Sequence, residues 1–514
     1  MGLRGIIAIA VCKILYYIGK QVGKGSSLPG HIALKIYPGV LQNLKLPKNI
    51  IAVTGSNGKT STAELVAHAL EKNAMSVGWN HEGSNQTEGV ATLLLRMATL
   101  CGKVKRDALV LECDERYARK IFAAVRPSAL IVTNLCRDQL SRNGHHEFIQ
   151  DCIRSAIEVC QESVNKTVAT GVVSKSQDTR AYAPISATTL VLNADDPYVA
   201  ALALIKGSNC DTGDKVDETS ETMKAMDRAK ILWFGVSKQV VSGNSDTLHP
   251  SNPYQYDDGA FCPICKGRMT YDYRIAAHYG RYSCSKCGFA HLTPNFEITR
   301  IDYQTGATAI ELTGATHNCS RPTHGSCPCA IKTRLRFPSL VGAYNLAAAI
   351  AAVTTTGICA QDAAQAMDDY ELKGGRTITF SVGGQDGTLL ISKHENSLSY
   401  NQNMALIVSQ QKPCTVVVVV DAISRKYYTS ETSWLWDIDV GILADDNVKK
   451  VVLVGRYVHE LLARFSLSEV AQSKIDHVED LSKLYEYLVK NNAHEIYALT
   501  CFSDKAKLLK VLDN

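Results

Sequence analysis

At 514 residues the chain exceeds what one ordinary hydrophobic core organises, so two or three domains are expected. The 55 lysines and arginines against 50 aspartates and glutamates leave a net charge of +5, too small at this size to support nucleic-acid binding by bulk electrostatics. Seventeen cysteines are many, but Cys12, Cys101, Cys152, Cys160, Cys210, Cys359, Cys414 and Cys501 stand singly in apolar or helical stretches, the pattern of a reducing, cytoplasmic compartment rather than of a disulfide framework.

The first predicted element, residues 1–45, is a basic and apolar helical segment. Its stretch "RGIIAIAVCKILYYIGK" is interrupted by Lys13 and falls short of the roughly 20 apolar residues a membrane span requires. The residues after it lack the small-residue cleavage site of a secretory signal. Arg4, Lys13, Lys20, Lys24 and Lys35 accompany the apolar stretch, which leaves two readings: a helix resting on the inner face of an anionic membrane, or one packed on its own domain.

From Asn49 onward short β-branched runs alternate with helical patterns: "NIIAV", "TSTAELVAHALEK", "DALVLEC", "ALIVTN", "TLVLNA" and "KILWFG". Apolar runs separated by amphipathic helices predict a parallel sheet covered on both faces, a doubly wound α/β domain over residues 46–340. The polar stretch from Ser208 to Met226 reads as a surface loop, and the segment from about Val240 to Arg336, rich in turns and aromatics, reads as inserted. Helical pattern returns at "LVGAYNLAAAIAAV", and the buried runs "TLLIS", "TVVVVVD", "KVVLVG" and "EIYALT" predict a second, Rossmann-like α/β domain over 341–514.

The strongest local signal is "AVTGSNGKTST", between a strand and a helix. Gly55 and Gly58 let backbone N–H groups approach phosphate oxygens, the helix N-terminus adds its positive dipole end, Lys59 reaches the β and γ phosphates, and Thr60 offers a magnesium ligand. Asn57 and Ser61 complete the expected nucleotide-binding stretch, although its glycine spacing is shorter than the full P-loop pattern. Downstream, "VLECDE" places Glu112, Asp114 and Glu115 at the carboxyl end of a strand, where a carboxylate can hold a metal at the ligand crevice.

Cys262, Cys265, Cys284 and Cys287 form C-x2-C-x18-C-x2-C, the spacing of a four-thiolate zinc site with no open coordination position. Such a site is structural and lets a small insert, about residues 255–295, fold with little core of its own. A further cluster, His317, Cys319, His324, Cys327 and Cys329, has ligands enough for a second metal but no recognisable spacing, and a loop is the competing reading.

The phosphate loop, the strand carboxylates, "TNLCRDQLSRNG" (133–144), "LNADDP" (192–197), "VGAYNLAAAIAA" (341–352) and "GGR" (374–376) occur in the order seen in Mur ligases, and the chain resembles that superfamily. The four-cysteine insert, "SWLWD" (433–437) and "GKGSSLPGHIALKIYPGVL" resemble its MurT type, the synthetase subunits of lipid II isoglutaminyl synthases. The resemblance implies a Mur-type central ATPase domain with an inserted zinc ribbon, ATP and magnesium as cofactors, and amidation of the D-glutamate α-carboxylate of the lipid II stem peptide. The nitrogen would be ammonia from a GatD-type glutaminase partner. It also implies roles: Thr60 and Glu112 for magnesium, Asn193, Asp196 and Asn345 for the nucleotide, Arg376 reaching ATP from the C-terminal domain, and Lys59 and Glu112 as catalytic groups. Gln139 stands where many Mur ligases have a metal-binding histidine. Counting back from Trp434 puts Glu431 where MurT-like sequences carry the carboxylate thought to complete the glutaminase triad, with Asp437 in reserve. Asn80, Gly83 and Asn85 of "WNHEGSN" could orient the acceptor. The pattern departs at "KHENSLSYNQ", which keeps Lys393, Asn401 and Gln402 but lengthens the turn and loses an Asn-Pro pair. That departure motivates an alternative, a Mur or folylpolyglutamate-type ligase that adds an amino acid without a glutaminase. A non-catalytic nucleotide-binding scaffold is the third reading, and an intact Lys59 argues against it.

Overall fold

The computed structural model describes residues 1–21, 26–81, 84–138, 143, 145–169, 188–204, 231–242, 257, 259–275, 278–302, 305, 307–312, 330–336, 339–372, 377–393, 395–422 and 432–512. Lys24, Gly83, Gln139, Cys210, Arg376, Glu431 and the cluster from His317 to Cys329 lie outside these residues.

Strands β1 (Asn49–Thr54), β2 (Val77–Trp79), β3 (Ala108–Glu112), β4 (Ala129–Val132), β5 (Thr189–Asn193) and β6 (Ile231–Val236) run parallel to their neighbours. β7 (Met269–Ile275) and β8 (Tyr279–Cys284) form a separate antiparallel hairpin. β9 (Phe296–Ile301) then rejoins the sheet parallel to β6, and β10 (Ala307–Leu312) and β11 (Ala330–Arg334) extend it antiparallel, in the order β11-β10-β9-β6-β5-β4-β1-β3-β2. Among the described residues the hairpin and its knuckles are the inserted part. Strands β9, β10 and β11, which sequence reading placed in the inserted segment, belong to the sheet.

The helices are α1 (Leu3–Gln21), α2 (Leu28–Ile36), α3 (Lys59–Lys72), α4 (Thr87–Met97), α5 (Glu115–Ala124), α6 (His146–Ala169), α7 (Pro197–Ala200), α8 (Lys238–Ser242), α9 (Leu340–Thr354) and α10 (Ala360–Met367). Side chains alternate across each strand, and both sides are covered, which is why the strands read as unbroken apolar runs. Ile50, Ala52, Leu109, Leu111, Leu130 and Val132 face a core built with α1, α2, α4, α5 and α6. Ile51, Val53, Ala108, Val110, Ala129 and Ile131 face the opposite core, built with α3, α9 and α10.

Two expected boundaries move. Residues 1–45 are not a segment apart, because Ala8, Ile9 and Cys12 of α1 and Ala33 of α2 are buried in the first core. Nor does the C-terminal domain begin at 341. Helix α9 is buried from Ala343 to Val353 against the first sheet, and an alanine-rich helix apolar all round is the natural cover for one. The seam falls between Leu372 and Thr377, where the second sheet starts.

That sheet has β12 (Thr377–Val382) antiparallel to β13 (Gln385–Ser392), followed by β17 (Glu495–Cys501), β14 (Cys414–Val419), β15 (Val448–Val454) and β16 (Ile475–Val478), all parallel. Val416 and Val418 face α11 (Ser397–Ser409) and α12 (Val458–Ser466), while Val417 and Val419 face α13 (Leu484–Asn491) and α14 (Lys505–Leu512).

Helix α2 crosses α4 backbone to backbone at Gly30, whose N–H donates to Thr92 Oγ1 at 2.8 Å. A Cβ there would sit 2.0 Å from the Glu88 carbonyl oxygen, an atom fixed in a helix. Gly30→Ala should therefore force the helices apart and lower unfolding stability by about 1–3 kcal/mol. Chemical denaturation checks this, and an unchanged midpoint would mean that the N-terminal helices are not part of the core.

Candidate active site and metal centre

β3 and β4 flank β1 on opposite sides, so the strand order reverses at β1 and a crevice opens beyond the carboxyl ends there. The loop leaving β1 uses Gly55 at φ 125° and Gly58 at φ 81°, both in the region glycine tolerates and other residues do not. Its shape is set by the segment that leaves β4. Asn134 accepts the Ser56 N–H on its carbonyl and the Asn57 N–H on Oδ1, each at 2.8 Å, and Thr133 Oγ1 donates to the Asn57 carbonyl at 2.6 Å. Ser56 Oγ donates to the Cys136 carbonyl at 3.1 Å. A Cβ on Gly58 would lie 2.2 Å from Asn345 Oδ1, so Asn345 of α9 lies against the loop. Thr60 is exposed in the first turn of α3, and Ser61 follows it half-buried.

Lys59 Nζ donates to the Gly55 carbonyl and lies 2.6 Å from Glu115 Oε1. Burial opposes its positive charge, but Glu115, supported by Glu112 and Asp138, outweighs that penalty and holds the lysine above its ordinary pKa. The three carboxylates of "ECDE" thus divide their work. Glu115 partners Lys59, Asp114 accepts the Arg116 N–H at 3.2 Å as the cap of α5, and Glu112 is buried at the end of β3. Asn85 Nδ2 donates to Glu112 Oε1 at 3.0 Å, while Asn80 exchanges two 2.8 Å hydrogen bonds with the Glu112 backbone. Asn85 thus positions the Glu112 carboxylate and Asn80 its backbone.

Asn193 and Asp196 differ from expectation. Both are buried beneath the crevice. Asn193 Nδ2 donates to the Thr133 carbonyl at 3.1 Å and its Oδ1 accepts the Asp195 N–H at 3.0 Å. Asp196 caps α7 by accepting from the Tyr198 and Val199 amides, and its other oxygen accepts the Leu135 N–H at 2.7 Å. With their oxygens spent internally, they shape the site from below.

The second domain enters the crevice through Lys393. Its Nζ donates to the Ser56 carbonyl at 2.9 Å and forms an ion pair with buried Asp138, whose other oxygen accepts from Asn396 Nδ2 at 2.9 Å. Asn396 also caps α11, accepting the Ser399 N–H at 2.8 Å, so the asparagine counted as lost is present two residues further on. The neighbouring Arg137 pairs with Asp437 at 2.8 Å. Asp437, the reserve candidate for a glutaminase triad, thereby joins the seam between the two domains. Sequence reading missed the pairing of Asp138 with Lys393, because nothing local links a loop carboxylate to a lysine 255 residues away.

Cys262, Cys265, Cys284 and Cys287 converge with their four sulfurs within 4.8 Å of one another. A tetrahedron with metal–sulfur bonds of about 2.3 Å has sulfur–sulfur edges of about 3.8 Å. The Cys262–Cys287 and Cys265–Cys284 sulfur distances are 3.7 and 3.5 Å, and the Ile264 and Gly267 amides donate to Cys262 and Cys265 Sγ at 3.4 Å. The donor set fits a closed thiolate site for zinc.

Lys59 carries a pH signature. A lysine raised in the folded state contributes stability that is complete below its unfolded value, about 10.4, and is lost as pH rises through the folded value. The stability difference between the wild type and Lys59→Met should stay level from pH 7 to about 10 and shrink above it. Denaturant midpoints across that range test this; a difference already declining near neutrality would contradict the ion pair.

A family model described as the Mur ligase middle domain matches residues 53–232, and one described as MurT ligase C-terminal matches 394–504. The chain is 24% identical, over all of its length and 98% of the relative's, to the MurT subunit of the glutamine-hydrolysing lipid II isoglutaminyl synthase of Streptococcus pneumoniae. It is 25% identical to the Staphylococcus aureus MurT subunit over 91% of this chain and 89% of that one. Among solved structures, a type C pseudomurein peptide ligase from Methanothermus fervidus superposes with a TM-score of 0.60 at 15% identity, covering 92% of this chain and 80% of that one. The two matched regions together span more than half the residues, in the order and on the sheets described above, and the chain belongs to the Mur ligase family, with a C-terminal domain of the MurT type.

Proposed function

We propose that this chain is the synthetase subunit of a lipid II isoglutaminyl synthase, amidating the D-glutamate α-carboxylate of the stem peptide with ammonia from a GatD-type glutaminase. The observation that carries the chemistry is the meeting of two lysines from two domains at one glycine loop: Lys59 on the Gly55 carbonyl and Lys393 on the Ser56 carbonyl. The names of the full-length relatives supply the substrate class.

A carboxylate is a poor electrophile. One of its oxygens attacks the γ-phosphorus of ATP, ADP leaves, and the acyl phosphate is then attacked at carbon by ammonia, expelling inorganic phosphate. Lys59 and Lys393 stabilise the negative charge that spreads over the phosphoryl oxygens. Exposed Thr60 and buried Glu112, held by Asn85, are the groups that would hold magnesium, which when bound neutralises phosphate charge. Asn345, packed against Gly58, would contact the nucleotide, and Arg376 would reach it from the C-terminal domain. Glu431, by its place before "SWLWD", is the carboxylate that would orient the glutaminase histidine, with Asp437 in reserve.

The acceptor is lipid-linked, and α1 offers a face for its membrane. Leu3, Ile7, Ile14, Tyr17 and Ile18 are exposed along one stripe, with exposed Arg4 and Lys20 on its flanks, whereas Lys13 turns inward to the Arg96 carbonyl. No helix among the described residues is long and apolar enough to cross a membrane. An apolar stripe between basic residues matches an anionic lipid surface.

Two measurements test these readings. Reconstitution with the glutaminase, glutamine, ATP, magnesium and lipid II should yield ADP and amide in equal amounts, and Lys59→Ala should lower kcat by about 10²-fold or more. Glutaminase-independent incorporation of a free amino acid would establish the alternative ligase instead. In co-sedimentation, anionic phosphatidylglycerol vesicles should retain the wild type and release the Ile7→Asp, Ile14→Asp double variant; equal retention of both would contradict the α1 assignment.

A further inference from the structure

The four-cysteine ribbon touches the nucleotide domain through two histidines, and both meet carboxylates of "NADDP". His278, at the turn between β7 and β8, places Nε2 3.0 Å from Asp196 Oδ2, with both side chains buried. His291, four residues beyond Cys287, places Nε2 2.7 Å from Asp195 Oδ1, again in a buried pair. The ribbon backbone joins in, with the Gly280 N–H donating to the Asp195 carbonyl at 2.9 Å.

Each carboxylate leads on to the phosphate loop by a different route. Asp196 accepts the Leu135 N–H at 2.7 Å, and Leu135 lies between Asn134 and Cys136, the residues that hold the Ser56 and Asn57 amides and the Ser56 hydroxyl. Asp195 accepts the Tyr344 hydroxyl at 2.6 Å, and the next residue of α9 is Asn345, packed against Gly58. The ribbon thus braces the loop from the strand side and from the helix side. Both carboxylates keep other donors, the Leu135, Tyr198 and Val199 amides on Asp196 and the Val236 amide and Tyr344 hydroxyl on Asp195, so the histidines adjust an already bonded pair, and they reach it only while the hairpin is folded. The hairpin is two strands, a size marginal by itself, and its knuckles fit a metal.

We propose that His278 and His291 are positioning residues of the nucleotide site, and that zinc at Cys262, Cys265, Cys284 and Cys287 sets nucleotide affinity by holding them against Asp196 and Asp195. Zinc and nucleotide are then coupled ligands at distinct sites, and the coupling is reciprocal. This rests on the nucleotide-binding part of the proposed function and not on the acceptor.

The test uses the zinc-loaded full-length chain. ADP with magnesium should lower the zinc dissociation constant, read by equilibrium competition with a chromophoric chelator, by about 5-fold or more, and zinc removal should weaken ADP binding, read by calorimetry, by the same factor. His278→Leu should raise the KM for ATP and the Kd for ADP by about 5-fold or more while leaving the KM for ammonia unchanged, and His278→Gln, which keeps a polar group facing Asp196, should recover most of the loss. Zinc affinity indifferent to ADP, or a His278→Leu chain that binds ADP as the wild type does, would overturn the coupling and leave the functional reading intact. An intact chain that binds no nucleotide would overturn both. Should His278→Leu fail to fold, the ADP dependence of zinc affinity in the wild type decides alone.

Discussion

The phosphate loop is held by Asn134, and the rest of the site depends on that grip. A loop of glycines has no conformational preference of its own strong enough to hold one shape. Asn134 fixes two of its amides, taking one on its backbone carbonyl and one on its side chain, while Thr133 and Cys136 hold the Asn57 carbonyl and the Ser56 hydroxyl. Because β1 and β4 are adjacent, the grip spans the point where the strand order reverses. The site is therefore preorganised by the sheet, and the segment after β4 is where disturbance elsewhere reaches the loop.

The cations at the site are restrained in a complementary way. Lys59 is held by Glu115 and Lys393 by Asp138, so each positive group arrives with a buried counter-charge. Removing one partner of such a pair leaves an uncompensated charge, at a cost of about 3–5 kcal/mol. An incoming triphosphate competes for both lysines at once, and one of them belongs to the second domain. The Arg137–Asp437 pair sits one residue from Asp138, so the seam between domains and the phosphate loop are parts of one charge network. Asn396 belongs to the same network, and the lengthened turn that suggested a different acceptor serves as a joint between domains.

What could be read in the sequence was local. Continuous apolar runs identified the buried parallel strands, the glycine loop and Glu112 fell where a strand meets the crevice, and the cysteine spacing located the four converging thiols. What could not be read was tertiary. α9 follows the insert in sequence yet covers the first sheet, so a boundary drawn where helical pattern resumes fell too early. β9 to β11 alternate burial as edge strands do, and that pattern resembled an irregular insert. The motif drew attention to Asn193 and Asp196, but which atoms they bond emerges only when the Leu135 amide and the β4 end come together. The histidines of the ribbon carried no spacing signal at all, since their partners lie some 80 to 100 residues earlier, in Asp195 and Asp196.

The central claim is that a carboxylate is activated by phosphoryl transfer at this loop before nitrogen attacks it. The most direct measurement follows oxygen. Stem peptide labelled with ¹⁸O in the D-glutamate α-carboxylate, turned over with ATP and an ammonia source, should deliver one labelled oxygen to inorganic phosphate for each amide formed. Amide formation with unlabelled phosphate would contradict the account.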